Sequence, residues 1–319
     1  MTATKARAND IQKPKSKRQD PRKKLSKRQL KDNVSGWLFI SPVVLGILIF
    51  TLYPFLLSMY YSLCDFDNIS PPTFIGLENF KIMFGDSTFL HSIRITLIYT
   101  IINVPVSLIL SFSMALLLNC DIKGMTAFRI LLYLPTIVPG VAQAIIWKDL
   151  FNPTSAGRFN QVLSWLGLEP FPWLSSPKTA LFSMIFMSIW GLAGGGSLLW
   201  LSGLKGISKS YYEYAAIEGA RFRHRLFNIT IPMMSPLIFY NLVSGFIGSL
   251  QAFGGAYLLT GGGPLHSTNF IGLNIYVTGL REMNMGYACA QSWIVFILVM
   301  LLTLVLFKTG GWVYYGEDQ

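Results

Sequence analysis

Six long apolar runs, none interrupted by Asp, Glu, Lys, Arg or His, constrain this sequence more than any other feature. A run of about 20 uncharged residues is long enough to cross a lipid bilayer as a helix. Hydrophobic residues make up 52% of the 319-residue chain and charged residues only 13%, roughly half the charged share of a soluble domain. The sequence therefore predicts an all-α polytopic membrane protein with about six transmembrane helices and no soluble domain between them. The runs cover residues 36–63, 95–119, 130–147, 179–204, 231–259 and 283–307.

The positive charge of the chain, +11 in total, is concentrated at its N-terminus. Residues 1–32 hold 12 Lys/Arg and 3 Asp and so carry +9, which leaves +2 for the rest of the chain. Lys and Arg are enriched in cytoplasmic loops; with the N-terminus inside, 20 of them fall on the inner side and six on the outer side. We therefore expect both termini in the cytoplasm. The predicted domains are a basic, disordered tail over 1–33, a transmembrane domain over 34–308 and a C-terminal tail over 309–319.

The predicted spans contain no group that could move a proton or hydrolyse a bond inside the membrane. Asp, Glu, Lys, Arg and His are absent from their interiors, whereas ion-coupled transporters place such groups there. The nearest match to a phosphate-binding loop, residues 203–210, has Ser208 where the second Gly is needed. We predict no catalytic residue, no metal site and no nucleotide site, so the energy for any uphill transport comes from another subunit. A membrane-embedded enzyme and a self-sufficient secondary transporter are the disfavoured alternatives.

The most polar stretch of the chain body is the predicted cytoplasmic loop over 205–232. Ser208 or Ser210 can cap a short helix that has an apolar stripe, and Gly219 breaks or kinks that helix. Pro232 stands in the first turn of the next span, where its missing N–H costs nothing. The spacing alone fits two interpretations equally well: a compact amphipathic element joined rigidly to two membrane helices, or an ordinary solvated loop with positive charge.

The same loop carries the spacing of a known motif. The matching residues are Glu213-Tyr-Ala215, then Gly219 after three intervening residues, then Ile229-Thr-Ile231-Pro232 after nine more. With these residues the loop resembles the EAA loop of bacterial binding-protein-dependent ABC importer permeases. Tyr214 replaces the second-position Ala and Ile231 replaces Leu, and both keep an apolar surface. The resemblance covers residues 34–315, although Ile95-Thr96 departs from the Asn-Thr pair that is common there in the family. Other motifs similar to those of the sugar-importing members stand in the same order: Phe74–Phe80, Tyr133–Pro135, Trp147, Phe151–Pro153, Pro172–Leu174, Thr260–Pro264 and Ser267-Thr268.

The resemblance implies a permease subunit of a type I ABC importer for carbohydrates, similar to the maltose and glycerol-phosphate systems, in the bacterial inner membrane. Such a subunit pairs with a second, homologous permease, two ATPase subunits and an extracytoplasmic solute-binding protein, and it contacts membrane lipids but no nucleic acid. It binds no cofactor and is no enzyme, because ATP and Mg are bound by the ATPase subunits. A non-sugar or anionic solute, such as a glycerol phosphate or a uronate oligosaccharide, is the alternative. The positions that the resemblance assigns to ATPase coupling are Glu213, Ala215, Gly219, Ile229 and Pro232.

Small and polar residues in the fourth and fifth apolar runs point to a solute path. Asn241, Ser244, Gly248 and Gln251 recur at helical spacing and share one face, and a polar face in hydrocarbon must turn toward another helix or toward water. Helix–helix packing is the alternative role for the glycines. The predicted path residues are Trp190 and Phe253 as aromatic platforms, Gly194 in a weak helix segment, and Asn241, Ser244, Gly248 and Gln251 as the polar face.

Overall fold

The computed structural model describes residues 27–120 and 122–314, with the backbone alone at residues 27, 29, 30, 32, 135 and 192–195. Most of the predicted basic tail and the last five residues of the predicted C-terminal tail lie outside the described residues. The helices of the described part are α1 (Lys27–Ile47), α2 (Tyr53–Ser62), α3 (Glu78–Gly85), α4 (Ser87–Leu118), α5 (Met125–Ile137), α6 (Gly140–Leu150), α7 (Arg158–Trp165), α8 (Pro177–Gly195), α9 (Ser197–Gly206), α10 (Lys209–Ile217), α11 (Phe222–Arg225), α12 (Ile231–Leu250), α13 (Gly254–Leu259), α14 (Ile271–Tyr276) and α15 (Met285–Lys308).

Shorter elements complete the described chain. Its strands are β1 (Cys64–Asp65) and β2 (Thr73–Phe74), which pair antiparallel. Three single π-helical turns interrupt or extend helices, and a 3₁₀ turn follows α15; they are Leu48–Leu52, Leu226–Thr230, Val277–Arg281 and Gly310–Trp312.

The internal contacts of the chain divide it at Leu57 into two units. In the first unit, α1 beyond Asn33 and the π-helical turn that follows it are mostly apolar, and most of their side chains are exposed. A helix that is apolar around its whole circumference is typical of a membrane span. The apolar helical stretch Asn33–Ser62 is 30 residues long, which is enough to cross a bilayer.

Helix α4 is the central element of the second unit, where it packs against α8, α9 and α12. It begins at Asp86, whose carboxylate accepts the backbone N–H groups of Thr88 (2.8 Å) and Phe89 (3.3 Å). An N-cap of this kind supplies partners for N–H groups that have none within the helix. The other carboxylate oxygen of Asp86 accepts the Tyr287 hydroxyl at 2.8 Å, so that one side chain starts α4 and ties it to α15.

The buried core of the second unit lies along α4 in three clusters. One contains Tyr99 and Phe270, whose ring centroids are 4.7 Å apart. A second, nearer the end of α4, surrounds Trp200, and a third contains Phe89 and Tyr287. These clusters fix the positions of α8, α9, α12 and α14 around α4.

Two of the six predicted apolar runs are divided, and one ends in a separate short helix. Four helical stretches of the described chain are long and apolar enough to cross a membrane: Asn33–Ser62, Ser87–Leu118, Phe222–Leu259 and Met285–Trp312. The run over 130–147 breaks because Pro139 forces Val138 into an extended conformation (φ −71°, ψ 126°). The run over 179–204 divides at Gly196, and the run over 231–259 changes direction at residues 251–253, where Phe253 has φ −140° and ψ −59°.

A short hairpin follows α2 on the predicted outer side. Its turn is closed by Asp67, whose carboxylate accepts the backbone N–H groups of Ser70 (2.7 Å) and Ile69 (2.9 Å). These two hydrogen bonds stabilise the ionised form and lower the pKa of Asp67 below its ordinary value. The buried Asn79 amide donates to the carbonyl of Cys64 at 2.9 Å, which holds the hairpin against α3.

Candidate functional site

The predicted cytoplasmic loop is an ordered pair of short helices. Ser208 is the N-cap of α10, and its hydroxyl accepts the Ser210 N–H at 3.4 Å. The helix ends at Ile217, with Glu218 as its C-cap, and Gly219 follows with φ +74°. The Ala220 N–H donates to the Ala215 carbonyl (2.8 Å) and the Gly219 N–H to the Ala216 carbonyl (3.0 Å). This is a Schellman motif, which needs a left-handed residue at the position of Gly219.

A second contact joins α10 to the start of α12. The Tyr212 hydroxyl lies 3.0 Å from the Thr230 hydroxyl, which donates to the Arg225 carbonyl at 3.2 Å. Thr230 is the last residue of the π-helical turn and is buried. The helix pair is therefore attached to the next long helix by side-chain contacts as well as by the chain.

The solvent side of this helix pair carries large apolar side chains. Tyr214 is 68% exposed, Ile217 80% and Phe222 63%, although the segment is otherwise polar. Glu213 is exposed beside them on α10. Apolar side chains grouped on an exposed polar element are typical of a protein-binding surface.

The structure places the five residues of the predicted coupling motif along this element. Glu213 and Ala215 lie on α10, the first exposed and the second half-buried. Gly219 follows the C-cap of α10, Ile229 lies in the π-helical turn, and Pro232 is in the first turn of α12. The ordered helix pair agrees with the compact element and not with the solvated loop.

A cavity of about 430 Å³ lies between α4, α8, α9 and α12. Its walls carry hydroxyl, amide and indole groups, and its described lining residues include no carboxylate, ammonium, guanidinium or imidazole group. Small residues widen it: a Cβ atom built at Gly248 would meet nothing within 4 Å. The polar lining residues are Tyr99, Asn103, Ser107, Ser111, Ser188, Trp200, Asn241, Ser244 and Ser249.

Hydrogen bonds between helices fix several of these polar groups. The Asn103 amide of α4 donates to the Ser249 hydroxyl of α12 at 3.2 Å. The Trp200 indole N–H of α9 donates to the Ser111 hydroxyl of α4 at 3.0 Å. Asn241 donates to a carbonyl of its own helix, that of Leu237, at 2.8 Å and is among the residues that line the cavity. A ligand with several hydroxyl groups would find both donors and acceptors here.

The predicted path residues divide between several places. Asn241, Ser244 and Gly248 line the polar cavity together. Gln251 is exposed at the end of α12, and Phe253 stacks on Tyr257 with ring centroids 5.3 Å apart; neither is among the described lining residues of that cavity.

The remaining two predicted path residues lie on α8. Trp190 lines a separate cavity of about 650 Å³ with mainly apolar walls, between α5, α6, α7 and α8. Its ring centroid there is 6.5 Å from that of Trp147. Gly194 lies in the last turn of α8, between Trp190 and Gly196. Of these three residues, Gly196 lines the cavity beside α4.

A polar stripe on α4 is not among the sequence predictions, and three of its members, Asn103, Ser107 and Ser111, line the cavity. Its members recur every three or four residues, so the helical periodicity was visible in the second apolar run. Thr96 in this stripe accepts the Ile271 N–H at 2.8 Å. Position 95 holds Ile where the resembled family commonly has Asn, and the bond to Thr96 does not involve that position. The stripe consists of the buried residues Ser92, Thr96, Thr100, Asn103, Ser107 and Ser111.

Comparisons with known proteins agree on one family. Residues 96–312 match the family described as "Binding-protein-dependent transport system inner membrane component". The chain is 39% identical over 302 residues to the "Probable ABC transporter permease protein YesP" of Bacillus subtilis (strain 168), covering 93% of this chain and 97% of that protein. It is 33% identical over 289 residues to the "Trehalose/maltose transport system permease protein MalF" of Thermococcus litoralis, covering 89% and 96%.

Solved structures share the fold. A chain of the "bacterial alginate ABC transporter in complex with alginate pentasaccharide-bound periplasmic protein" superposes with a TM-score of 0.79 and 23% identity, over 89% of this chain and 96% of that chain. The arrangement of helices around α4 is therefore one that occurs in an experimentally determined ABC transporter.

Proposed function

The chain belongs to the family of binding-protein-dependent transport system inner membrane components, and we propose that it is the subunit through which a sugar or oligosaccharide crosses the bacterial inner membrane. It is a multi-pass membrane protein, and relatives that are at least 30% identical over most of the chain include permeases of trehalose/maltose and lactose transport systems.

The observation that carries the proposal is the cavity beside α4, whose uncharged walls combine apolar surface with amide and hydroxyl groups. Sugar hydroxyl groups both donate and accept hydrogen bonds, and the amides and hydroxyls of Asn103, Asn241 and Ser244 offer both. A solute recognised by ion pairing would need a cationic partner, and the described lining residues contain none. The cavity therefore favours a neutral carbohydrate over an anionic one.

The proposed energy source is a pair of partner ATPase subunits that bind ATP and Mg. The exposed apolar surface of Tyr214, Ile217 and Phe222 supports docking of such a subunit against α10. Glu213 would supply a polar contact there, and Ala215 would permit close approach. A second permease subunit and an extracytoplasmic solute-binding protein complete the proposed importer.

In the proposed mechanism, the helix pair transmits the movement of the ATPases to α12. The contacts of Tyr212 and Thr230 make the helix pair and the start of α12 one stiff element. A displacement of α10 then shifts the α12 wall of the polar cavity, which opens the cavity to one side of the membrane at a time. This chain supplies binding and movement, and the partner subunits supply hydrolysis.

The proposal is tested by uptake into proteoliposomes that contain the chain with its partner permease and ATPases, supplied with a binding protein loaded with labelled maltooligosaccharide or another neutral sugar. Asn241→Leu removes donors and an acceptor from the cavity while breaking only a bond within its own helix. Loss of one or two hydrogen bonds at about 1.5 kcal/mol each predicts an uptake rate about tenfold or more lower. Ser202→Ala is the matched control, because Ser202 is exposed and bonds only to its own helix. Uptake by Asn241→Leu at the control rate would contradict the assignment of the cavity, and a chain that purifies without an ATPase would contradict the function.

A further inference from the structure

The segment that follows α15 folds back onto the protein. We call residues Thr309–Tyr314 the C-terminal strap. Thr309 caps α15, and a 3₁₀ turn over Gly310–Trp312 reverses the chain. Val313 is only 9% exposed, so the strap is docked against its neighbours.

A buried serine connects the strap to the beginning of α12. The Tyr314 N–H donates to the Ser235 hydroxyl at 2.8 Å, and that hydroxyl donates to the Pro232 carbonyl at 2.7 Å. Ser235 is only 2% exposed. Its hydroxyl is thus used as both donor and acceptor, which ties the strap to the turn where the cytoplasmic loop enters α12.

Aromatic packing reinforces this connection one turn further along α12. The ring centroid of Phe239 lies 5.2 Å from that of Phe307, at the end of α15, and 6.2 Å from that of Trp312. A Cβ atom built at Gly310 would stand 3.3 Å from the Phe239 ring. The strap therefore approaches α12 closely, and a side chain larger than hydrogen at position 310 would press on Phe239.

These contacts continue those of the cytoplasmic loop. Tyr212 of α10 contacts Thr230. Thr230 is joined through Ile231 to Pro232, whose carbonyl accepts the Ser235 hydroxyl. An unbroken series of direct contacts thus leads from α10 through the start of α12 to the strap and α15. At its other end α15 is joined to α4 by the bond from Tyr287 to Asp86.

We propose that the C-terminal strap and Ser235 are positioning elements of transport: they bind the first turns of α12 to the inner end of α15, so that a displacement of the cytoplasmic loop moves both helices as one body. This inference rests on the proposed function. Without the strap, the start of α12 pivots separately from α15, and part of the movement produced by ATP is absorbed at that pivot. ATP hydrolysis then continues while less sugar is moved for each ATP hydrolysed.

The test compares two truncations in the assembled importer in proteoliposomes, with sugar uptake and phosphate release measured together. Removal of residues 310–319 deletes the strap beyond its first residue, whereas removal of residues 315–319 leaves it complete. We expect the ratio of sugar moved to ATP hydrolysed to fall at least fivefold in the longer truncation and to stay within twofold of the intact chain in the shorter one. An equal ratio in both truncations would overturn the proposal.

Point variants test the role of Ser235 if the longer truncation fails to assemble. Ser235→Ala removes the hydroxyl that links Tyr314 to Pro232, and we expect a three- to tenfold lower ratio of transport to hydrolysis. Ser235→Thr keeps the hydroxyl and restores the ratio. Ser202→Ala, which removes a hydroxyl of the same local geometry with no partner on the strap, leaves it unchanged. A Ser235→Ala ratio equal to that of Ser202→Ala contradicts the role of the serine.

A second measurement separates this inference from the proposed function. Hydrogen exchange on the purified chain reports the protection of the α12 amides directly, whether or not the importer moves sugar. Removal of residues 310–319 should speed the exchange of the amides of residues 233–235 and 237–240 at least tenfold, while removal of residues 315–319 should not; Pro236 has no amide hydrogen. If the intact importer moves no sugar, the proposed function is wrong. The exchange result still tests whether the strap holds the first turns of α12.

Discussion

The backbone of Gly219 offers the sharpest test of the coupling element. Its φ of +74° lies in the left-handed region, which costs about 1–2 kcal/mol for a residue with a Cβ atom. A Cβ atom built there meets nothing within 4 Å, so Gly219→Ala changes backbone preference without a steric clash. A cost of this size lowers the equilibrium constant for the observed loop conformation about 5- to 30-fold. We expect docking of the partner ATPase to need that conformation, so the apparent affinity should fall by up to the same factor.

The matched variant is Gly219→Asn, because asparagine adopts the left-handed region more readily than other residues with a Cβ atom. The measurement is the dissociation constant of the purified permease pair for the partner ATPase, together with the uptake rate. We expect Gly219→Ala to weaken binding clearly more than Gly219→Asn, with both weaker than the intact chain. Equal affinities for all three chains would refute the argument from φ, and equal losses in both variants would show that a side chain itself is the obstacle.

Three further predictions concern contacts outside the coupling element. Trp200→Phe removes the indole donor to Ser111 and leaves a cavity, because Trp200 is only 1% exposed. It should lower the free energy of unfolding by more than about 1 kcal/mol, measured by thermal unfolding in detergent, and an unchanged midpoint would contradict a formed bond. Asp86→Ala removes the N-cap of α4 and the acceptor of the Tyr287 hydroxyl, and it should lower the free energy of unfolding by about 2 kcal/mol or more in the same assay. Tyr287→Phe removes only the second of these contacts and should lower the free energy of unfolding less. Because the pKa of Asp67 is lowered, the ionised carboxylate stabilises the hairpin at pH values above its ordinary pKa, and this stabilisation is lost as the pH falls through the lowered pKa. Asp67→Asn should remove this pH dependence from the local hydrogen exchange of the hairpin. An exchange profile in Asp67→Asn equal to that of the intact chain would contradict the prediction.

The membrane character of the fold could be predicted from the sequence because it depends on run length and on the absence of charge, and both can be counted. The helix breaks were harder to predict, for different reasons. Pro139 was visible within its run and is the physical cause of the break after α5. The turn at residues 251–253 contains no proline. Gly272 of α14 packs against it, where a Cβ atom would stand 3.2 Å from the Ala252 carbonyl oxygen, and no local pattern predicts that contact.

The candidate site was predicted in part. Asn241, Ser244 and Gly248 were placed on one helical face, and they line the cavity together. The opposite wall needs Asn103, whose partner Ser249 is 146 residues away in sequence; the periodicity of α4 was readable, but its pairing was not. The prediction for Trp190 and Phe253 rests on their aromatic rings and on the resemblance, which implies a sugar site on the helices that flank the EAA loop; the structure places them in other aromatic groups.

Cavity accessibility tests the central claim most directly. Ser244→Cys is introduced into a chain whose native cysteines, Cys64, Cys120 and Cys289, are replaced by alanine, and its labelling by a membrane-impermeant maleimide is followed from each side of the bilayer in the assembled importer. The account predicts labelling from one side in the resting state and from the other with ATP trapped, and protection by the transported sugar. Labelling that is unaffected by ATP and by sugar, like that of Ser202→Cys in the same background, would contradict it.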